Sequence, residues 1–250
     1  MISTIYSLNI RERRKFIKSS LKKMGIPFKT GPFIREGYEG ENIIVTQWAK
    51  GDLPTIIISA HYDGWGAYDN AGGTAGLLWL LKWAGWDKLI SLNGSFGLII
   101  VFLDGEESGL LGAKDYIENS LFDKNLKVKG QISLDGFGIG THIGGFANTK
   151  KIRLRIDLGK KIELVLEADT AIFQQYQIPS LHLFSLPYEE LKALLDEKRF
   201  PPSWQILHTT EDTPDKIDEG CLPFVVLHLY QSIPLLDFQS EGVITIGEIK

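Results

Sequence analysis

Two histidines and several carboxylates fall where this chain turns from apolar to polar. His61 and Asp63 come directly after PTIIISA, Glu106 and Glu107 follow LIIVFLDG, and Asp135 follows QISL. Asp69 lies in the glycine-rich GAYDNAGG, and His208 follows WQIL. Imidazole and carboxylate donors in this mixture suit borderline divalent cations such as zinc, cobalt or manganese. One carboxylate can bridge two ions ~3.5–4 Å apart, leaving each ion one His, one terminal carboxylate and an open position for water. Asp69 suits the bridge, because its loop lies between the other ligands and carries glycines that permit close approach. Neighbouring side chains diverge, so Glu107 can ligate while Glu106 faces the water as a general base. Asp63, two residues beyond His61, is placed to accept that ring's second N–H.

Taken singly, each of these residues has a plainer explanation. Asp is common at turns and helix starts, and a lone His after a strand is an ordinary event. Joint placement is what points to chemistry. His182 and His228 sit inside the apolar runs IPSLHLF and PFVVLHLY and read as core residues,. His142, in GIGTHIGGF, reads as a loop residue,. Trp65, Phe137 and Trp204 lie close to the motifs and are candidates for an apolar substrate pocket, with ordinary packing as the alternative,.

The elements that must position these side chains read as an α/β sheet with crossover connections. NIIVTQ (42–47) and PTIIISA (54–60) are β-branched strands on either side of the turn-like Lys50-Gly51-Asp52,. Residues 70–86 read as a buried helix, apolar nearly all round, and FGLIIVFL (96–103) as a central parallel strand,. A helix over 109–120, strands over 129–134 and 178–184, and a helix over 221–236 continue the alternation,. His61, Glu106, Glu107 and Asp135 then all stand at the carboxyl ends of strands, where open α/β sheets place their ligand sites. Residues 151–166 alternate charged and apolar and predict two exposed strands joined at Gly159, an edge that pairing with another subunit would suit,. Ile17, Leu21 and Met24 share one face of an N-terminal helix over 11–24 that ends at Gly25-Ile26-Pro27,. Its seven Lys and Arg between Arg11 and Lys23 read as a solvated outer face,.

Composition bounds the rest. The 250 residues, 44% apolar and 23% charged, predict one folded domain with a sizeable core and exclude disorder as the dominant state,. Twenty-seven Lys plus Arg against thirty-one Asp plus Glu give a net charge of −4, which argues against a nucleic-acid partner,. No apolar run reaches the roughly 18–20 residues of a membrane span. The N-terminal MISTIYSLNIRERRKF has its basic cluster in the wrong order for a secretory signal, so the expected location is cytoplasmic,. A single cysteine, Cys221, excludes a cysteine-built zinc module and leaves any metal to His and carboxylates,.

HYDGWGAYDNAGGTAG, FLDGEESGLLGAKDY, SLDGFG and LHTTEDTPDKID, in this order, resemble the zinc-dependent aminopeptidases with co-catalytic metals, of the bacterial leucyl aminopeptidase and aminopeptidase Y type. EADTAIFQQYQIPSLHLF is similar to a further segment of that family, with an Asp close to the ligands, and the likeness runs from residue 10 to 236. The resemblance implies a mixed sheet, parallel at its centre and flanked by helices. It assigns His61, Asp69 and Asp135 to one zinc ion and Asp69, Glu107 and His208 to a second, with Glu106 as general base and acid and Asp63 as the partner of His61. The substrate it implies is a peptide with a free N-terminus. Family members hold a cis peptide after the bridging carboxylate, so the resemblance also implies one between Asp69 and Asn70, at a cost of ~3–4 kcal/mol outside proline.

Two departures stand out. The stretch between Asp135 and Asp169 is short for the family, which predicts trimmed substrate-covering elements. Some relatives carry a Tyr just before the residue equivalent to Asp169 to stabilise the oxyanion; here Val165-Leu166-Glu167-Ala168 holds none, which leaves the metals alone or a Tyr elsewhere, such as Tyr188. Glutaminyl-peptide cyclotransferases share the fold and are similar in FLDGEE and IPSLHLFSLP. They use one zinc, held at the positions of Asp69, Glu107 and His208, and commonly have Trp before that His, where this chain has Leu207. A non-catalytic peptidase-like interaction domain is the third alternative; such chains usually lose ligands, and none is missing here.

Overall fold

The computed structural model describes residues 1–47, 54–85, 96–121, 126–148, 152–157, 161–166, 168–233, 236, 238–239 and 242–246. Two helices, α1 (Ile2–Tyr6) and α2 (Ile10–Lys23), precede an antiparallel pair of strands, β1 (Lys29–Arg35) and β2 (Tyr38–Gln47). Asn9 and Glu12 form a reciprocal capping box that starts α2,. The chain then alternates: β3 (Thr55–His61), α3 (Gly72–Ala84), β4 (Gly97–Leu103), α4 (Leu111–Asp115), β5 (Val128–Leu134) and β6 (His142–Ala147). A separate antiparallel pair, β7 (Ile152–Asp157) and β8 (Lys161–Leu166), leads to α5 (Asp169–Gln175), β9 (Ser180–Leu186), α6 (Tyr188–Glu197), α7 (Leu222–Ser232) and β10 (Gly242–Ile246).

Eight strands form one sheet in the order β1-β2-β4-β3-β5-β9-β6-β10. The four central strands, β4-β3-β5-β9, are mutually parallel, and the flanking pairs are antiparallel. Every residue of β3 and β4 is buried, because both faces of the sheet are covered, and such strands need continuous rather than alternating apolar sequence,. Core side chains from α1, α2, α3 and α7 cover one face, while Leu110, Ala113, Tyr116, Ile172 and Phe173 pack on the other. Phe146, Phe184, Trp204 and Tyr68 form a third, mostly aromatic cluster over β6 and β9. No helix among the described residues is long and apolar enough to cross a membrane.

The centrally parallel sheet is as expected from the sequence, with several local differences. The helix expected over 109–120 is α4 followed by a π-helical turn, Tyr116–Leu121, with Leu110 in the left-handed region (φ 62°) at its start. The basic face of α2 is not all solvated. Arg13 is fully buried, and Arg14 pairs with the buried Asp104 at 2.7 Å. β7 and β8 pair as expected, while the Gly159 turn, the exposure of those strands' side chains and the Lys50-Gly51-Asp52 turn lie outside the described residues.

Candidate metal centre

The parallel register places the first two donors. Ser59 of β3 pairs with Ser133 of β5, so the residues two steps on, His61 and Asp135, leave the sheet side by side. The His61 Nε2 lies 3.5 Å from Asp135 Oδ1 and 4.0 Å from Asp69 Oδ1. On the other side of Asp69, His208 Nε2 is 4.0 Å from Oδ2, and His208 Nδ1 is 3.6 Å from Glu107 Oε2. Two donor groups result, His61–Asp69–Asp135 and Asp69–Glu107–His208, each with its atoms within 4.8 Å of one another and both sharing Asp69. These separations are too long for hydrogen bonds. They are near the ~3.4 Å that a tetrahedral ion with bonds of about 2.0–2.2 Å imposes between its ligands. Both ring nitrogens of His61 and the Oδ2 of Asp69 are buried without a hydrogen-bond partner, and buried polar atoms left this way call for a ligand,. The donor set therefore fits a pair of divalent ions.

The surrounding residues fix these side chains. Thr74 on α3 donates to the His61 carbonyl at 2.8 Å. Asp63 lies 3.7 Å from His61 Nδ1, on the side of the ring away from Asp69 and Asp135. The same carboxylate accepts the backbone N–H groups of Glu106 (3.1 Å) and Glu107 (3.2 Å), so one residue orients the histidine and the paired glutamates together. Gly64 has φ 84°, and a Cβ there would stand 2.6 Å from the Glu107 carboxyl; the loop needs glycine to let Glu107 in,. Beneath the glutamates, Asp104 accepts from Tyr38 Oη (2.7 Å), Arg14 Nη2 (2.7 Å) and the Glu41 N–H (2.9 Å), which pins the start of the turn that carries them. The neighbouring Arg13 donates to the carbonyls of Tyr62 (3.1 Å) and Gly64 (2.9 Å) and to Asn70 Oδ1 (2.9 Å), tying α2 to the loop between His61 and Asp69.

The electrostatics are those of crowded carboxylates. Burial, with the neighbouring Asp135, raises the Asp69 pKa well above the usual range. Burial raises Glu106 likewise, with Asp169 adding to the shift. Burial would raise Asp135 too, but the adjacent His61 and His182 rings bring it down to about 2. Burial opposes a charged His61, yet Glu106, Asp135 and Asp63 outweigh it and hold the ring well above its ordinary value. Metal binding, which needs the neutral ring, would compete with protonation of His61.

A cavity of about 440 Å³ opens over both donor groups. Glu106 lines it with the donors Asp69, Glu107, Asp135 and His208; Phe146, Phe184 and Trp204 form an aromatic wall. Of the aromatic candidates from the sequence, only Trp204 is there. Trp65 is exposed against Tyr6 at a ring separation of 5.0 Å, and Phe137 is fully buried in the main core. Tyr188, the candidate for the oxyanion, is half exposed on α6 beside His142, the first residue of β6 rather than a loop residue, and does not line the cavity. Tyr68 does line it, but its hydroxyl donates to the Ser185 carbonyl (2.6 Å) and accepts from Trp204 Nε1 (3.1 Å). His182, which the apolar run marks as a core residue, instead faces the cavity with Nδ1 3.9 Å from Asp135 Oδ2. Asp169, buried with both oxygens unpartnered, has its pKa raised by burial to about 7. The cis peptide implied for Asp69–Asn70 is absent: the described residues contain none, and the chain passes this point in a π-helical turn, Ala67–Ala71.

Comparisons with known proteins bear on the family and the fold. Over 120 residues the chain is 30% identical to a vacuolar membrane protease of Candida albicans (strain WO-1), covering 46% of this chain but only 13% of that protein's length. Its fold is similar to that of a glutaminyl cyclase from Porphyromonas gingivalis, with a TM-score of 0.62 at 17% identity over 90% of this chain and 89% of the other. It is also similar to a zinc aminopeptidase from Bacillus subtilis, with a TM-score of 0.56 at 18% identity over 86% of this chain and 55% of the other. The model of peptidase family M28 matches residues 42–225, a span that holds every donor described above, and the chain belongs to that family.

Proposed function

We propose that this chain is a zinc-dependent aminopeptidase that removes the N-terminal residue of peptides with two metal ions. The observation that carries this reading is the pair of three-donor groups sharing Asp69. A single-zinc cyclase needs only Asp69, Glu107 and His208 and gives no reason for an orphaned His61 Nε2 beside Asp135. When bound, the ions supply the Lewis acidity that polarises a peptide carbonyl and acidifies a water. His61, Asp69 and Asp135 hold one ion, and Asp69, Glu107 and His208 the other.

The chain's own residues do the rest. Glu106, set at the cavity by Asp63, takes a proton from the water and returns it to the departing amine. Burial keeps its pKa up, so the carboxyl is a stronger base than an exposed one once ionised,. Asp63 orients His61 and has no contact with substrate. The aromatic wall of Phe146, Phe184 and Trp204 receives an apolar side chain next to the scissile bond,.

The test is metal content per chain measured with two assays, cleavage of an aminoacyl anilide and cyclisation of an N-terminal glutaminyl peptide. Two zinc ions with anilide cleavage is the expected result. One zinc with pyroglutamate formation would establish the cyclase instead, and no metal with neither activity the interaction domain.

A further inference from the structure

Asp212 lies four residues after His208 and is fully buried. Both of its carboxylate oxygens are committed to three consecutive backbone N–H groups of the loop that carries Asp69. Oδ1 accepts from Ala67 (3.0 Å) and Tyr68 (2.7 Å), and Oδ2 accepts from Asp69 itself (3.1 Å). The Ala67 N–H is shared with the Asp212 carbonyl at 3.2 Å. These N–H groups open the π-helical turn and have no partner within it, and a run of such donors is a natural seat for an anion. Gly66 makes room for it: at φ 151°, a Cβ there would stand 2.5 Å from Asp212 Oδ2.

The other end of the strut is the loop that carries His208. That loop folds on itself through Thr209 N–H to the Ile206 carbonyl (3.0 Å) and Asp212 N–H to the Thr209 carbonyl (3.3 Å). His208 sits at its tip with a left-handed φ of 56° and a side chain 60% exposed, so packing does little to place the ring. A buried carboxylate at one end of the turn therefore connects the two loops that supply Asp69 and His208.

We propose that Asp212 is a positioning residue that sets the spacing between Asp69 and His208, and so tunes the Asp69–Glu107–His208 group without touching ion or substrate. The proposal rests on the reading that this group binds a metal, and the test separates the two. Cobalt(II) is titrated into apo-protein by absorption and calorimetry, in wild type and in Asp212→Asn, with His208→Ala marking which step belongs to the outer group. The amide of Asp212→Asn keeps the side-chain shape, but however it is turned its NH2 confronts at least one of the three N–H groups. Outer-shell partners of this kind are worth about 10–100-fold in metal affinity. The expected result is a 10–100-fold weaker outer step and a changed cobalt spectrum for it, with the His61 step altered by less than threefold. Equal weakening of both steps, or no change in either, would overturn the proposal. A wild type that binds no cobalt would defeat the metal reading itself. Should Asp212→Asn fail to fold, Asp212→Glu keeps the charge but lengthens the link between the two loops by one methylene with every ligand intact, and the same selective loss is expected.

Discussion

The two halves of the proposed metal centre are built differently. In the inner half, His61 is 2% exposed and Asp135 14%; in the outer half, Glu107 is 27% and His208 60% exposed. His61 and Asp135 are carried to their places by adjacent parallel strands, whose register is set by buried side chains on both faces of the sheet,. Glu107 and His208 come from loops, and their spacing depends on local turns and on carboxylates that accept backbone N–H groups, Asp63 for the one and Asp212 for the other. On the two-metal proposal, the buried inner half is the tighter site and the more exposed outer half the weaker one.

Glu106 lines the cavity with donors of both halves, and its replacement gives the largest expected effect. Glu106→Gln should lower kcat about 10²–10⁴-fold while both steps of a metal titration stay as in wild type. Near-normal turnover would remove Glu106 from the reaction. Next comes Asp63→Ala, which takes away the neighbour of His61 and both N–H acceptors of the glutamate pair. Metal affinity at the inner half should fall about 10–100-fold, read from a chelator competition, and kcat should fall with it. An unchanged inner affinity would mean that the sheet register alone holds His61. The smallest effect on turnover is expected from Arg13→Met, since Arg13 braces the loop and does not line the cavity. Loss of its buried charged hydrogen bonds should cost about 3 kcal/mol, a fall in Tm of roughly 6–12 °C for a chain of this size. With kcat within tenfold of wild type, the brace is one of stability; a larger loss would place α2 among the elements that shape the site.

The same contrast explains what the sequence shows and what it hides. His61, Glu106 and Glu107 are legible because they follow continuous apolar runs, which are required where both faces of a parallel strand are covered, and Asp135 because it closes a further strand, QISL, at the same edge,. Asp69 and His208 are legible through their motifs, with no strand before them to fix their positions. Arg13 is hidden among seven basic residues whose types carry no sign of which one turns inward; only the carbonyls of Tyr62 and Gly64, far away in the chain, decide it. Asp212 is hidden for the same reason, in HTTEDTPDKID, where the residue types do not say which of several carboxylates turns inward. His182 misleads in the other direction. Its apolar neighbours on β9 are core residues, but the strand's alternation turns the imidazole toward Asp135,. Trp65 and Tyr188 show the limit of proximity in sequence: both lie close to motifs, and neither side chain enters the cavity.

The central claim is a two-metal centre with unequal halves, and stepwise zinc titration of the apo-protein by calorimetry, in wild type, His61→Ala and His208→Ala, tests it most directly. Two equivalents per chain in two resolved steps are expected in wild type, the tighter lost in His61→Ala and the weaker in His208→Ala. A single equivalent that survives His61→Ala and vanishes in His208→Ala would contradict the claim and leave a one-zinc centre at Asp69, Glu107 and His208.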